Sequence, residues 1–333
     1  MLLTRLANYL KSRPDDGRIH VVRQSAADED VSVTDQEPVI SSAELIEGDA
    51  LCAINVGGTK QPGFSFFLDG IERRHLLYYD GMTPVVYGFT AAVIRERRDD
   101  RRMYTFDSLS QEKLYCPCAQ VDIEGLQNAA VELSDTLSNS EADKSAAEHP
   151  LKLLDLARRA VSKDREKLER ILAESWIDKT SDSDRWLLWD GSITVGFDAY
   201  RHPRVIGVIK SHQTHYFQGE QQRRIMDLKV GERSSVFMPK GRERTPVYSW
   251  YLRLHPNDGR DVYFGLVRIE AAASAETLGI VDEVSRWLLG ERSPLSLPDG
   301  RWDRMIYPIR DCEQYLKSIA PSRTLIEAAL SAL

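Results

Sequence analysis

Two apolar segments of this chain run directly into an aspartate followed by a glycine, and this pattern constrains the fold more than any other feature. Residues 64–68 (FSFFL) precede Asp69 and Gly70, and residues 186–189 (WLLW) precede Asp190 and Gly191. Short apolar runs bounded by such residues indicate buried strands that end in turns. A carboxylate at the end of a buried strand is costly unless a cation or hydrogen bonds meet it. Two such carboxylates that converge usually bind a divalent metal ion.

The surrounding pattern predicts an α/β fold. Short Asp/Gly turns between apolar strands in residues 64–95 indicate an antiparallel meander. Apolar residues recur at helical spacing over residues 151–176, and Pro150 stands where that helix would begin. The order of strands, long helix, strands and helix predicts a mixed β-sheet flanked by helices, with extra helices at both termini. Strands are predicted at 64–68, 74–79, 83–95, 186–193, 204–210, 234–238, 248–254 and 262–269, and helices at 1–12, 123–147, 276–289 and 311–319.

We divide the chain at residue 60. Residues 1–60 are predicted to form an amphipathic helix and a polar connector, which is acidic at residues 27–30 and carries a short capped helical turn at 41–46. Residues 61–333 are predicted to form the main domain. We find no internal repeat and no other clean boundary.

Composition limits the classes of function. The chain has 333 residues and a net charge of −7, which excludes a basic coat for nucleic acid. Any contact with nucleic acid therefore requires a local groove, an oligomer's interior or a partner that delivers the strand. No apolar run is long enough to span a bilayer, and the first residues are too polar for a secretion signal, so we expect a cytoplasmic protein without membrane contact. Cys116 and Cys118 lack a second pair at zinc-finger spacing.

A metal site built on Asp69 and Asp190 needs a third acid, which we expect on the helix before Asp190. Carboxylates suit this role because Mg²⁺ and Mn²⁺ prefer hard oxygen ligands. Glu166 and Glu169 lie three residues apart and near one helix face, so the residues alone do not choose between them. For each helical acid the alternative is a solvated surface charge, and for each Asp-Gly pair it is a simple turn. The acids available on the helix are Asp155, Asp164, Glu166, Glu169 and Glu174.

Three motifs together resemble the NurA nucleases. Residues 67–70 (FLDG), 187–192 (LLWDGS) and 205–211 (VIGVIKS) occur in the order and approximate spacing of that family's motifs. The family has an early strand ending in Asp-Gly, a helical acidic residue, a strand ending in Asp-Gly-Ser and a strand of the form Val-Ile-Gly-Val-x-Lys. The resemblance runs from about residue 60 to the C-terminus, and residues 186–211 are its most specific part.

This resemblance implies a ribonuclease-H-like fold and a DNA nuclease that depends on Mn²⁺ or Mg²⁺. It also implies a homodimer that works with a HerA-type hexameric ATPase in DNA end processing or antiphage defence. Carried over by motif, Asp69 and Asp190 match the two aspartates, and Lys210 matches the basic residue after the later strand. Glu166 is the preferred match to the helical acid, with Glu169 next.

The resemblance breaks near the C-terminus. The family has Tyr-Pro followed by a histidine in its last helix, whereas this chain has Tyr307 and Pro308 with no histidine after them. Asp311 is the expected replacement, as an oxygen ligand for a second metal ion. Two alternatives stay open. The first is a non-catalytic dimeric adapter of the same fold that docks on the ATPase, which the missing histidine and the acidic net charge favour. The second is an unrelated α/β protein.

Four basic residues are candidates for contact with DNA. Lys210 would neutralise the phosphate that is attacked, and Arg223, Arg224 and Arg242 would contact phosphates by virtue of their charge and loop context. The alternative for each is an ordinary solvated cation.

Overall fold

The chain folds around one large mixed β-sheet flanked by helices, which confirms the predicted α/β class. We describe it from a computed structural model that covers residues 2–13, 19–21, 39–137, 149–195, 201–240, 246–292, 306–322, 324–326 and 328. In those residues the helices are α1 (Leu2–Ser12), α2 (Ile123–Asn128), α3 (Pro150–Lys179), α4 (Gly219–Met226), α5 (Ala275–Glu291) and α6 (Tyr307–Ile319). None of these helices is both long enough and apolar enough to cross a bilayer.

The described strands belong to the large sheet, apart from β2 and β11, which pair with each other in a separate ribbon. The strands are β1 (Ile19–Val21), β2 (Val39–Ile40), β3 (Ser42–Leu45), β4 (Ala53–Asn55), β5 (Phe66–Asp80), β6 (Thr83–Arg97), β7 (Met103–Cys116), β8 (Leu133–Asp135), β9 (Leu187–Asp190), β10 (Val205–Ile209), β11 (Thr214–His215), β12 (Glu232–Ser234), β13 (Phe237–Lys240), β14 (Val247–Arg253) and β15 (Leu266–Ala272). The main path across the sheet is β3-β13-β14-β15-β10-β9-β5-β6-β7-β8.

An antiparallel meander is present, but its strands differ from the predicted ones. The strands predicted at 64–68 and 74–79 form one long strand, β5, and the third strand of the meander is β7, which was not predicted. The expectation that the first strand ends at Asp69 is wrong, because β5 continues through Asp69 and Gly70, which pair with Val93 and Ala92 of β6. Gly70 is extended here and leaves room for a helix side chain. A Cβ atom at Gly70 would lie 2.2 Å from an Oε atom of Glu169. The tight Asp-Gly turn comes instead at the end of β5, where Gly81 has a φ of 62°.

Helix α3 carries the chain from the meander to a parallel part of the sheet. Strand β9 pairs in parallel with β5, placing Leu188 beside Phe67, and β10 pairs in parallel with β9. Strand β15 then runs antiparallel to β10. The carboxyl ends of β9 and β10 therefore meet close to the beginning of β5, where Asp69 lies. The prediction of a long helix beginning at Pro150 is confirmed, with His149 as its N-cap.

Two helix predictions need correction. Residues 41–46 were expected to form a helical turn, but β3 lies there and pairs with β13. The helix predicted over residues 123–147 is short, because α2 ends at Asn128 and β8 follows it in parallel with β7. Pairing with another strand decides both cases, and local propensity does not reveal such pairing. Residues 138–148, and the acidic residues 27–30, lie outside the described part of the chain.

The two faces of the sheet are covered by different helices. Side chains alternate between the faces along each strand. Leu68 and Trp189 share a buried cluster with Leu172 and Trp176 of α3. Phe67, Leu188 and Val208 belong to the cluster on the other side, together with residues of α5 and α6. This alternation decides which polar side chains can meet.

We predict that Leu172→Ala lowers the free energy of unfolding by about 3 kcal/mol, because Leu172 is 1% exposed in the contact between α3 and the sheet. The neighbouring Ile171 is 38% exposed, so Ile171→Ala should change it by less than about 1 kcal/mol. Urea denaturation of the two variants measures this difference. Equal losses would contradict the orientation of α3.

Candidate metal centre

Three carboxylates from distant parts of the sequence meet at one point of the sheet. Asp69 of β5, Asp190 at the end of β9 and Glu313 of α6 each present an oxygen atom, and these atoms lie within 4.8 Å of one another. Since Leu68 pairs with Trp189, the two aspartates that follow are neighbours on adjacent parallel strands. Their side chains share the face of Phe67 and Leu188, which is the face that α6 covers. Register and helix docking together therefore create the cluster.

A lysine lies against this cluster. Lys210 is the first residue after β10, and its Nζ donates a hydrogen bond of 2.6 Å to Oδ2 of Asp190. Burial lowers the pKa of Lys210, but the charge and hydrogen bond of Asp190 and the charges of Asp69 and Glu313 outweigh it, so the pKa is raised. Lys210 therefore carries its positive charge throughout the physiological range. Its charge offsets part of the repulsion among the three acids.

Asp69 is the most buried member, with 7% of its surface exposed. Burial and the charge of Asp190 raise the pKa of the Asp69 carboxyl well above its usual range, against the opposing charge of Lys210. A carboxyl group in this setting gains from a nearby cation. Three convergent carboxylate oxygens are also the hard donors that Mg²⁺ and Mn²⁺ prefer. The donor set therefore fits a divalent metal ion of that kind.

Glu169 of α3 is buried next to the cluster, on the other side of Gly70. It is 2% exposed, accepts a hydrogen bond of 3.2 Å from Nε1 of Trp189 and is paired with the guanidinium of Arg165. Burial raises the pKa of Glu169 to about 7, opposed by Arg165 and Trp189 and reinforced by Asp190. Glu169 influences the aspartates through its charge, although it does not belong to the group whose oxygens converge.

The structure does not bring Glu166, the preferred helical acid, to the aspartates. Its side chain is 43% exposed and lies 3.8 Å from Arg165. With Lys163, Lys167 and Arg170 it lines a surface cavity of about 200 Å³. The physical reason is that Glu166 lies about 60° further round α3 than Glu169, and this rotation takes it out of the buried face.

The structure also separates Asp311 from the cluster. Its Oδ2 accepts a hydrogen bond of 2.6 Å from Nε of Arg95. Residues two positions apart on a helix point about 200° apart, so Asp311 and Glu313 lie on opposite flanks of α6. Sequence reasoning missed Glu313. The sequence does show that the helix has acidic residues on both sides of an apolar stripe. The stripe alone does not show which side faces the aspartates.

Two of the predicted DNA-binding arginines, Arg223 and Arg224, lie on α4 and contribute no atom to the cluster. Arg223 and Arg224 are exposed on α4, where Arg224 donates a hydrogen bond of 3.2 Å to the carbonyl of Leu51 and pairs with Glu220. Arg242 lies outside the described residues. Of the three basic candidates that the structure describes, Lys210 is the one with a hydrogen bond to a carboxylate of the cluster.

A polar cavity of about 380 Å³ opens beside Asp190 and Lys210. Ser192 and Glu270 are on its wall, and the Ser192 hydroxyl donates a hydrogen bond of 2.6 Å to Oε2 of Glu270. Arg268 pairs with Glu270 at 2.6 Å and neutralises it. The other hydroxyls on the wall belong to Thr194 and Ser211. A cavity of this size, with hydroxyl donors and two cations, accommodates a polar or anionic ligand next to the acids.

Two glycines, Gly191 and Gly207, let the turn after Asp190 lie close to strand β10. A Cβ atom at Gly207 of β10 would lie 2.6 Å from the carbonyl oxygen of Gly191, so the turn after Asp190 packs directly on bare backbone. Gly191 itself has a φ of 146°, which other residues rarely adopt. These two glycines allow the chain to turn closely against β10 directly after Asp190.

Comparison of the chain with known proteins does not supply a family. No protein-family model matches it, and no curated protein matches it closely enough to be counted as a relative.

The buried carboxyl of Glu169 predicts a dependence of stability on pH. Its pKa is about 7 in the folded protein and about 4.5 when exposed, so the folded state binds the proton more tightly. The stability that this provides is complete below about pH 4.5 and is lost as the pH rises through about 7, by about 3 kcal/mol.

Urea denaturation of the metal-free protein between pH 5 and 8 measures this effect. Glu169→Gln should reduce the fall in stability with rising pH, whereas Glu166→Gln, one helix turn away and exposed, should leave it unchanged. Equal slopes in wild type and Glu169→Gln would show that Glu169 does not carry the proton.

Proposed function

We propose that this protein is a divalent-metal-dependent nuclease that hydrolyses phosphodiester bonds of DNA, with a ribonuclease-H-like fold and a site of the NurA type. The observation that carries this proposal is the meeting of Asp69, Asp190 and Glu313 within 4.8 Å, beside Lys210 and a polar cavity. Carboxylates on neighbouring strands with an acid from a helix are the ligand set that such nucleases use. Mn²⁺ or Mg²⁺ is the proposed cofactor.

The path of the chain supports the fold assignment. An antiparallel meander, a crossover helix and a strand that joins the first meander strand in parallel give the order β7-β6-β5-β9-β10. This is the arrangement expected of a ribonuclease-H-like sheet. It also brings the carboxyl ends of two parallel strands together, which is where open α/β sheets commonly bind ligands.

The residues divide the work of hydrolysis among them. When bound, the metal ion supplies a polarised water and stabilises charge that develops on the phosphate. Asp69, Asp190 and Glu313 would hold it with oxygen ligands. Lys210 restrains the Asp190 carboxylate and brings a positive charge to the position where a phosphate would enter. The Lys210 ammonium group and the Ser211 hydroxyl also line the cavity in which a phosphate would lie, whereas the Ser192 hydroxyl is already bonded to Glu270.

Glu313 favours an enzyme over the non-catalytic adapter. The resemblance to NurA predicts a histidine in the last helix, and its loss suggested a decayed site. Here the last helix presents a carboxylate to the aspartates instead. An oxygen donor preserves the capacity to bind Mg²⁺ or Mn²⁺. The proposed partners follow from the resemblance alone: a second copy of the chain, a HerA-type hexameric ATPase and DNA, in end processing or antiphage defence in the cytoplasm.

Nuclease assays test this proposal. With Mn²⁺, the wild-type protein should degrade DNA, and Asp190→Ala and Glu313→Gln should each reduce the rate at least about 100-fold while circular dichroism stays unchanged. Glu166→Gln is the control and should stay within about twofold of wild type, because this side chain is exposed away from the cluster.

Three other outcomes are informative. Full activity in Asp190→Ala would reject the assignment. If Glu166→Gln loses activity and Glu313→Gln keeps it, then Glu166 is the third metal ligand, as the sequence predicted, and Glu313 is not. Saturable Mn²⁺ binding without DNA cleavage would favour the adapter.

A further inference from the structure

Helix α6 lies on the sheet with two polar flanks and an apolar centre. Cys312 and Leu316 are fully buried, and the Cys312 thiol donates a hydrogen bond of 3.3 Å to the carbonyl of Phe67 in β5. Asp311 and Glu313 fall on either side of this centre. Asp311 faces β6, where it contacts Arg95, and Glu313 faces the aspartates of β5 and β9. A roll of the helix about its axis would therefore move both acids together.

Arg95 contacts the flank of α6 that is opposite Glu313. Its Nε donates to Asp311 at 2.6 Å, and its guanidinium lies over the ring of Tyr315, one helix turn later, with 5.3 Å to the ring centre. The remaining nitrogens bond to β7, at 2.6 Å to the Thr105 hydroxyl and 3.2 Å to the Met103 carbonyl. The guanidinium is thus fixed by a second strand and holds α6 at two residues that flank Glu313 in the sequence.

The contacts of Arg95 with α6 oppose an electrostatic repulsion on the other flank of the helix. Glu313 lies among two carboxylates, and like charges this close repel each other. Lys210 lies beside Asp190 and Lys317 is 3.7 Å from Glu313, and both positive charges reduce this repulsion. The side chain of Arg95 is 14% exposed and that of Asp311 is 33% exposed, so their charge-assisted bond is partly shielded from water.

We propose that Arg95 and Asp311 are positioning residues of the metal site: their ion pair sets the rotation of α6 and so holds Glu313 in reach of the metal. Asp311 then acts through Glu313 and not as a ligand. This inference rests on the proposed function, because it requires that Asp69, Asp190 and Glu313 bind a divalent ion.

Titration of the full chain with Mn²⁺ by isothermal calorimetry tests the proposal. Asp311→Asn and Arg95→Gln should each weaken Mn²⁺ binding about tenfold, in the range seen when residues that orient a metal ligand are removed. If Asp311 were itself a ligand, Arg95→Gln would release it and would not weaken binding. A loss in Asp311→Asn alone would therefore overturn the positioning role.

A matched control separates positioning from general loss of stability. Arg97, two residues further along β6, makes a similar ion pair with Glu291 of α5, away from the cluster. Glu291→Gln should lower the melting temperature by a comparable amount and leave Mn²⁺ affinity within about twofold of wild type. Equal weakening in Glu291→Gln and Asp311→Asn would overturn the proposal.

Removing Glu313 gives the most specific readout. In a Glu313→Gln background, the further change Asp311→Asn should have no effect on Mn²⁺ affinity, because the residue through which it acts is gone. Additive effects would overturn the proposal. If the wild-type protein shows no saturable Mn²⁺ binding, the proposed function itself fails. If the wild-type protein binds Mn²⁺ and Arg95→Gln binds it with the same affinity, only the positioning role is rejected.

Discussion

The parallel pairing of β5 with β9 places two aspartates side by side on a buried sheet, and the surrounding structure compensates this repulsion. Lys210 contacts Asp190 from the end of the next strand and offsets part of the negative charge, to which Glu313 of α6 adds a third carboxylate. On the opposite face the buried Glu169 is paired with Arg165. Buried carboxylates in contact are unfavourable for folding, and a fold retains them when they bind a ligand that needs them. This cost is the main physical argument for a functional site here.

The aspartates were predictable because their signal is local. An apolar strand that runs into Asp-Gly is visible in the sequence, and Lys210 follows the next apolar strand in the same way. The turn expected at Asp69 was wrong because an Asp-Gly pair occurs both in tight turns and inside strands where glycine gives a neighbouring side chain room. In β5 the glycine makes space for Glu169 and the strand continues. That distinction depends on a helix a hundred residues away, so no local pattern contains it.

Which helical acids face the site was not predictable either, because this depends on how each helix packs on the sheet. Glu166 and Glu169 differ by about 60° around α3, and the docking angle of α3 on the sheet buries one and exposes the other. Asp311 and Glu313 pose the same choice on α6, where the contacts of Cys312 and Arg95 decide it. The α/β class, by contrast, follows from apolar strands before and after a long helix, which the periodicity of the sequence indicated. The strand order was less predictable, because it includes β7, which the sequence pattern did not reveal.

A structure of the protein crystallised with Mn²⁺, with anomalous scattering recorded at the manganese edge, tests the central claim most directly. The account predicts an anomalous peak bounded by the carboxylates of Asp69, Asp190 and Glu313, with Lys210 turned from Asp190 or sharing its oxygens with the ion. A structure at saturating Mn²⁺ with no peak at these three residues, or with the ion bound instead by Glu166 or Asp311, would contradict it.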